Sequence, residues 1–172
     1  MTRARVIGTG SYLPEKVLTN ADLMKICDTS DEWIRQRTGI EQRHQAAPGQ
    51  GVSHLALEAS KEALANAGVT PEQLDMVVCC TLSPDMLLPA SGNLLQGMLG
   101  AKNAGSFDVN AACSGFIAGL SVGRGLVEMG MCKTVLVVGA EIQTNRMTWK
   151  NRDTAVLFGD GAGAVVLRAD TG

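Results

Sequence analysis

The alternation of strands and helices is clearest in the stretch Phe107-Asp-Val-Asn-Ala-Ala-Cys113-Ser-Gly-Phe116. Residues 106–112 have the composition of a strand, and residues 114–129 are apolar or small nearly all round, which predicts a helix buried in the middle of the molecule. A thiol at such a junction meets the positive end of a helix dipole, which favours the nucleophilic thiolate. Cys113 is therefore a candidate nucleophile. A small buried hydrophobe is the alternative that the local pattern leaves open.

The flanking sequence continues the same alternation. Short apolar runs predict strands at residues 3–8, 76–81 and 134–138, and helical spacing predicts helices at residues 53–67 and 90–99. Caps at Asn20 and in the run 29–32 predict two shorter helices near the start, the second ending at Gly39. Two β-rich runs, 155–157 and 162–167, flank Gly159-Asp-Gly161, which predicts an antiparallel hairpin. The expected fold class is α/β, with a mostly parallel five-stranded sheet and one antiparallel strand.

Length and composition narrow the class of protein. A chain of 172 residues predicts a single domain, and 45% hydrophobic residues with only 3% aromatics predict a tightly packed aliphatic core. Fifteen basic and 17 acidic residues are well mixed, which argues against nucleic-acid binding. Apolar runs fall short of a membrane span, and adjacent Cys79 and Cys80 are not spaced as metal ligands. Five irregularly spaced cysteines and a start without a secretory signal predict a reduced, cytoplasmic protein.

Further motifs allow two interpretations each. The cluster Gly8-Thr-Gly10 and the cluster at 159–163 lack the helix that a dinucleotide fingerprint needs, which favours close sheet packing. Trp33, Arg35 and Arg37 offer an aromatic plane and cations for an adenine ring and phosphates, or form an ordinary solvated face. The two histidines, His44 and His54, lie in no signature of a base or ligand, which predicts surface or packing roles.

Several stretches together resemble the β-ketoacyl-[acyl-carrier-protein] synthase III family of thiolase-like condensing enzymes. The resemblance runs from end to end and is carried by Ile7-Gly-Thr-Gly-Ser-Tyr-Leu-Pro14, Asp28-Thr-Ser-Asp-Glu-Trp-Ile34, Arg37-Thr-Gly-Ile40, the stretch 107–116 and Phe158-Gly-Asp-Gly-Ala-Gly-Ala164. It implies a thiolase-like fold and an acyl group carried on Cys113. It also implies that Trp33 stacks on the adenine of coenzyme A and that Thr29, Arg37 and Arg152 contact its nucleotide.

The same resemblance implies the substrates and partners of the protein. The sequence departs from the family in its length. Acyl-coenzyme A and malonyl-acyl carrier protein are the implied substrates, with no metal or resident cofactor. Family members are roughly twice as long, so residues 1–172 are expected to be the N-terminal thiolase-like domain. The second half, which supplies a histidine and an asparagine, is absent from this sequence. The segment Pro84-Asp-Met-Leu-Leu88-Pro89 fits a loop that lines the partner's acyl pocket in a homodimer, and Leu88 leaves the acyl length open, with a short or medium starter expected.

Other functions on the same scaffold stay open at this point. One alternative is a starter synthase of secondary metabolism, or an acyltransferase that passes the acyl group to oxygen or nitrogen. A second, from another class, is a non-catalytic module for carrier-protein docking or dimerisation. The intact cysteine motif speaks against the second alternative.

Overall fold

The computed structural model describes residues 2–170, which form two compact units. The first unit comprises the chain up to Tyr12, residues Gly51–Glu141, and the chain from Ala162 onward. The second comprises Leu13–Gln50 and Ile142–Gly161. The predicted nucleophile therefore lies in the first unit, and the predicted nucleotide-binding residues lie in the second.

A five-stranded sheet forms the centre of the first unit. Its strands are β1 (Arg3–Tyr12), β4 (Met76–Cys80), β5 (Gly105–Val109), β6 (Thr134–Ile142) and β7 (Asp160–Asp170), in the spatial order β1-β7-β6-β4-β5. Strand β4 pairs in parallel with both β5 and β6, whereas β1 pairs antiparallel with β7. The predicted α/β class and mixed sheet are confirmed.

The helices of this unit are α3 (Val52–Ala67), α4 (Ser91–Leu99) and α5 (Gly115–Glu128). Strand β4 is covered on both faces, since Val77, Val78 and Cys79 are fully buried, as its continuous apolar run predicts. Strand β1 lies close to α3, and a Cβ atom at Gly8 would come within 2.6 Å of the Ala67 Cβ. The first glycine cluster therefore serves close packing, as predicted.

Helix α5 is less buried than its sequence predicts. Gly119, Gly123 and Val127 face the sheet and are buried, but Ile117 is 64% exposed and Val122 is 40% exposed. The prediction of a helix buried on all sides is wrong for residues 2–170, because these residues cover one face of α5 only.

The predicted hairpin at residues 155–167 is also wrong. Residues Arg152–Ala155 form a short helix, α6, and β7 begins at Asp160 itself. Asp160 is only 4% exposed, and its carboxylate accepts hydrogen bonds from the backbone N–H groups of Ala46, Gln143 and Thr144 at 2.7, 2.8 and 3.0 Å. A turn would expose this carboxylate, whereas the strand start lets it bind three backbone amides.

The second unit contains a two-stranded antiparallel sheet, β2 (Lys16–Thr19) and β3 (Gln42–Gln45), with helices α1 (Asn20–Leu23), α2 (Asp31–Thr38) and α6. Its buried core consists of Leu23, Ile34 and Val156. The cap of α1 is Thr19 rather than the predicted Asn20, because the Asn20 side chain is buried and donates to Asp31. Helix α2 ends at Gly39, whose φ of +71° is left-handed, as predicted.

Within residues 2–170, no helix is both long and apolar enough to cross a membrane.

Candidate active site

Cys113 lies on a tight turn between β5 and α5. Residues Ala112–Ser114 form one turn of 3-10 helix directly before α5 begins. Ala112 has a φ of +47°, the one left-handed non-glycine conformation among the described residues, and such strain costs about 1–3 kcal/mol. The turn is held by its own neighbours: Ala112 N donates to Asn110 Oδ1 at 3.3 Å, and the Ser114 hydroxyl donates to Ala111 O at 2.7 Å. The structure therefore presents Cys113 on a strained, internally braced elbow.

Solvent access distinguishes Cys113 from the other thiols. Cys113 is exposed, while the remaining four cysteines are buried. Burial raises the pKa of Cys80 to about 11, and burial, with nearby carboxylates, raises the pKa of Cys79 well above its ordinary value. Burial also raises the pKa of Cys132. Because thiolate is the attacking form, the raised pKa values disfavour Cys79, Cys80 and Cys132, and solvent access favours Cys113 over all four buried thiols.

Gly119 of α5 lets the helix lie close to β4. A Cβ atom at Gly119 would overlap the Cys80 sulfur and come within 3.4 Å of Val137 Cγ1. At Gly115, a Cβ atom would lie 3.8 Å from the Cys80 Cβ, which is an ordinary van der Waals contact. The height of α5 above the sheet therefore depends on Gly119.

An acid that the sequence analysis did not single out secures the strand before the elbow. The Asp108 carboxylate accepts hydrogen bonds from the backbone N–H groups of Ser91 and Gly92 at 2.9 and 2.6 Å, so β5 is tied to the start of α4. A Cβ atom at Gly92 would lie 2.9 Å from Phe107 O, so this approach requires glycine. An acid within a strand five residues before the cysteine was the signal that could have found it.

The second unit brings together three of the four predicted nucleotide-binding side chains. The guanidinium carbons of Arg37 and Arg152 lie 4.5 and 4.8 Å from the centre of the Trp33 ring, within cation–π distance. Arg152 also donates to the backbone oxygen of Asp28 at 3.2 Å. The fourth residue, Thr29, precedes the α2 cap Ser30, and its hydroxyl is buried without a hydrogen-bond partner in the described chain.

The arginines near Trp33 differ in whether they form ion pairs. Arg35 forms ion pairs with Asp31 at 2.8 Å and with Glu41 at 2.5 Å. Within residues 2–170, no carboxylate lies within ion-pairing distance of Arg37 or Arg152. Two cations beside an aromatic ring can therefore meet an anionic, ring-containing ligand such as a nucleotide, whereas Arg35 is committed to the protein.

Both histidines, which were predicted to be surface or packing residues, have partners within the protein, and His54 is exposed. His44 Nδ1 hydrogen-bonds to Pro14 O at 2.5 Å, and His54 Nδ1 accepts from Gly51 N at 3.1 Å. The described residues also contain no group of three or more histidine, cysteine or acidic side chains that could hold a metal ion.

In sequence, this chain is similar to known 3-oxoacyl-[acyl-carrier-protein] synthases III. The sequence model described as 3-oxoacyl-[acyl-carrier-protein (ACP)] synthase III matches residues 107–172. A β-ketoacyl-[acyl-carrier-protein] synthase III of Xanthomonas campestris pv. campestris is 58% identical over 97% of this chain and 51% of its own length. One from Xylella fastidiosa is 59% identical over 97% of this chain and 52% of its own length. The chain thus spans about half the length of these relatives.

Solved structures similar to this chain include a 3-oxoacyl-[acyl-carrier-protein] synthase III and a β-ketosynthase. The 3-oxoacyl-[acyl-carrier-protein] synthase III of Aquifex aeolicus matches with a TM-score of 0.95 and 47% identity, over 100% of this chain and 55% of that one. The priming β-ketosynthase of the R1128 polyketide pathway matches with a TM-score of 0.95 and 39% identity, over 98% of this chain and 50% of that one.

The sheet order, the cysteine elbow and these matches define a thiolase-like condensing-enzyme fold. Within that class, the known proteins that the chain resembles are β-ketoacyl-[acyl-carrier-protein] synthases III, of which it spans about half.

Proposed function

We propose that this chain supplies the acyl-carrying half of a β-ketoacyl-[acyl-carrier-protein] synthase III, with Cys113 as its catalytic residue. The observation that carries the proposal is the exposed thiol on a strained elbow at the start of α5, in a chain 58% identical to such an enzyme. The reaction is the condensation of an acyl-coenzyme A starter with malonyl-acyl carrier protein.

The first step is acyl transfer to Cys113. The thiolate attacks the carbonyl carbon of the starter thioester, a carbon–sulfur bond forms, and the tetrahedral oxyanion collapses to expel coenzyme A as a thiolate that takes up a proton. A backbone N–H at the start of the helix is assigned as a donor to the oxyanion, which lowers the barrier. Small neighbours such as Ala111 and Ala112 leave space for the acyl carbonyl.

The second step needs groups beyond this chain. Malonyl-acyl carrier protein loses carbon dioxide, and the resulting enolate attacks the acyl-Cys113 carbonyl, which releases the cysteine thiolate and forms a β-ketoacyl thioester. Donors to the enolate oxygen are a histidine and an asparagine of the second half of the family's chain. His44 and His54 already have partners in Pro14 and Gly51 and do not replace them.

The nucleotide of coenzyme A is assigned to the second unit. Trp33 offers its ring to the adenine, and Arg37 and Arg152, which have no carboxylate partner among the described residues, offer charge to the phosphates. Thr29 is assigned to the same site, and its buried hydroxyl has no hydrogen-bond partner among the described residues. No metal or resident cofactor takes part, since coenzyme A enters as a substrate.

We propose that this chain contacts both the second half of the protein and a second copy of the protein. Residues 1–172 form the N-terminal thiolase-like domain, and the second half covers the exposed apolar face of α5 that includes Ile117 and Val122. The segment 84–89, whose leucines are exposed, is assigned to the acyl pocket of a second copy in a homodimer, with a short or medium starter expected. The assigned location is the cytoplasm.

One alternative has an observation in its favour. The 39% identity to a priming ketosynthase of a polyketide pathway fits a starter synthase of secondary metabolism, which would share the cysteine and the coenzyme A site. The higher identities of the fatty-acid-type relatives, 58% and 59%, favour the synthase III assignment.

The first prediction tests condensation against plain acyl transfer. The complete protein that contains this chain, given acyl-coenzyme A and malonyl-acyl carrier protein labelled at the free carboxyl, is expected to release labelled carbon dioxide with one β-ketoacyl product per release. Carbon dioxide release that depends on the acyl starter supports condensation. Transfer of the acyl group to an oxygen or nitrogen acceptor without carbon dioxide release would contradict it.

A further inference from the structure

The connection between β4 and α4 has a polar base and an apolar tip. At its base, Thr81 and Ser83 are 5% and 2% exposed. At its tip, Met86, Leu87 and Leu88 are 49%, 89% and 79% exposed. Three consecutive apolar side chains in water are unfavourable unless something binds them. The tip residues 86–88 are therefore displayed rather than packed by the described chain.

Asp85 fixes this tip to the start of α3. Its carboxylate accepts hydrogen bonds from the Ser53 backbone N–H at 3.0 Å and from the Ser53 hydroxyl at 3.1 Å. Its own N–H donates to the Ser91 hydroxyl at 3.2 Å, at the start of α4. The carboxylate thus lies at the positive end of the 16-residue helix α3, where a negative charge is favoured.

Gly51 makes room for this contact. A Cβ atom at Gly51 would collide with Asp85 Oδ1, although Gly51 has an ordinary extended backbone with φ −96°. The absence of a side chain is therefore needed for space and not for backbone conformation. A substitution at position 51 or at position 85 can therefore disrupt the contact between the Asp85 carboxylate and the start of α3.

Hydrogen bonds also fix Leu82 and Ser83, at the base of the same connection. Leu82 N donates to Glu141 Oε1 at 2.7 Å, and the Ser83 hydroxyl donates to the same carboxylate. With Asp85 tied to Ser53, the residues on the N-terminal side of the tip are bound to β6 and to α3. Only residues 86–88 project free of these contacts.

We propose that Asp85 is a positioning residue for acyl selection, which holds the apolar tip 86–88 so that it presents a defined wall to the acyl pocket of a second copy. This inference rests on the proposed function, since it deepens the role of the same acyl pocket. An acyl chain is apolar, and so is the surface that Met86, Leu87 and Leu88 display. The hydrogen bonds from Ser53 to Asp85 are here called the Asp85 clamp. Without this clamp, residues 86–88 sample many positions and no longer present a defined apolar surface to the acyl chain.

The test breaks the clamp from both sides in the complete protein. Asp85→Ala removes the acceptor, Gly51→Ala displaces the intact carboxylate, and Ser53→Ala serves as a milder variant if either of these fails to fold. Asp75→Ala is the matched control. The Asp75 carboxylate also accepts two hydrogen bonds, from the backbone N–H groups of Lys133 at 2.7 Å and Thr134 at 2.8 Å, but it lies before β4 rather than after it.

Two readouts separate positioning from general stability. Thermolysin cleavage within residues 86–88 is expected to accelerate about tenfold in Asp85→Ala and Gly51→Ala, and to change less than about twofold in Asp75→Ala. The ratio of kcat/KM for acylation of Cys113 by acetyl- and octanoyl-coenzyme A is expected to shift about tenfold in the same two variants only.

The outcomes distinguish two failures. If the unmodified protein is acylated but both clamp variants keep its cleavage rate and its chain-length ratio, the inference about Asp85 is overturned and the proposed function stands. If the ratio shifts equally in Asp75→Ala, general destabilisation explains it and the inference is again overturned. If the unmodified protein accepts no acyl group, the proposed function fails, and the assignment of Asp85 fails with it.

Discussion

At the scale of single residues, surroundings rather than residue type select the nucleophile. Cys80 lies beneath α5, and burial raises its pKa to about 11. Cys80 is therefore both protonated and buried near neutral pH. Cys113 is exposed on the elbow that Asn110 and Ser114 brace. The motif around Cys113 predicts the nucleophile from sequence because a strand end and a helix start are local features.

The second prediction concerns the arginines beside Trp33. In a Trp149→Phe variant, Trp33 is the sole remaining tryptophan, so coenzyme A binding can be followed by its fluorescence. Arg152→Ala is expected to weaken binding about tenfold, because a cation–π contact and a charge near the phosphates are both lost. The measurement is a fluorescence titration at fixed ionic strength.

The matched control for this titration is Arg35→Ala, in α2, the helix that also carries Trp33. Arg35 is paired with Asp31 and Glu41, so its loss is expected to change the affinity for coenzyme A less than about twofold. Equal losses in the two variants would mean a general effect of positive charge, and would contradict a specific role of Arg152.

At the scale of elements, glycines decide how closely α5 approaches the sheet. Gly119 and Gly123 face the sheet, and a Cβ atom at Gly123 would come within 2.9 Å of Val137 Cγ2. These glycines weaken the helix by themselves, since glycine costs about 1 kcal/mol relative to alanine in a helix interior. Close packing over β4 and β6 offsets that cost.

The third prediction compares two alanine substitutions in α5. Gly119→Ala is expected to lower the free energy of unfolding by about 1–3 kcal/mol, because the added methyl group overlaps the Cys80 sulfur. Gly125→Ala is expected to be neutral or stabilising by up to about 1 kcal/mol, since a Cβ there meets no described heavy atom within 4 Å. Urea unfolding measures both, and a loss of stability in Gly125→Ala equal to that in Gly119→Ala would contradict the packing argument.

Elements with local signals were predictable, and those stabilised by distant partners were not. Strand β4 was predicted from its apolar run, and the end of α2 from Gly39. The hairpin prediction at Gly159–Gly161 was wrong because Asp160 binds the N–H of Ala46, 114 positions away. The Asp85 clamp was missed for the same reason, since its partner Ser53 is 32 positions away.

At the scale of the whole molecule, the chain is proposed to carry one part of a larger active site. It spans 51% of its Xanthomonas relative, and α5 leaves the apolar side chains of Ile117 and Val122 exposed. The elbow with Cys113 and the cluster at Trp33 are both present within residues 2–170. Acyl transfer to Cys113 is therefore the step assigned to this chain, and condensation is assigned to the complete protein.

The most direct test of this assignment is mass spectrometry of the chain with and without acyl-coenzyme A, combined with peptide mapping of any adduct. The account predicts one acyl group per chain, attached to Cys113 and absent from a Cys113→Ala variant. An adduct on a different cysteine, or none on a folded chain supplied with acetyl- and longer acyl-coenzyme A, would contradict the assignment and favour a non-catalytic module.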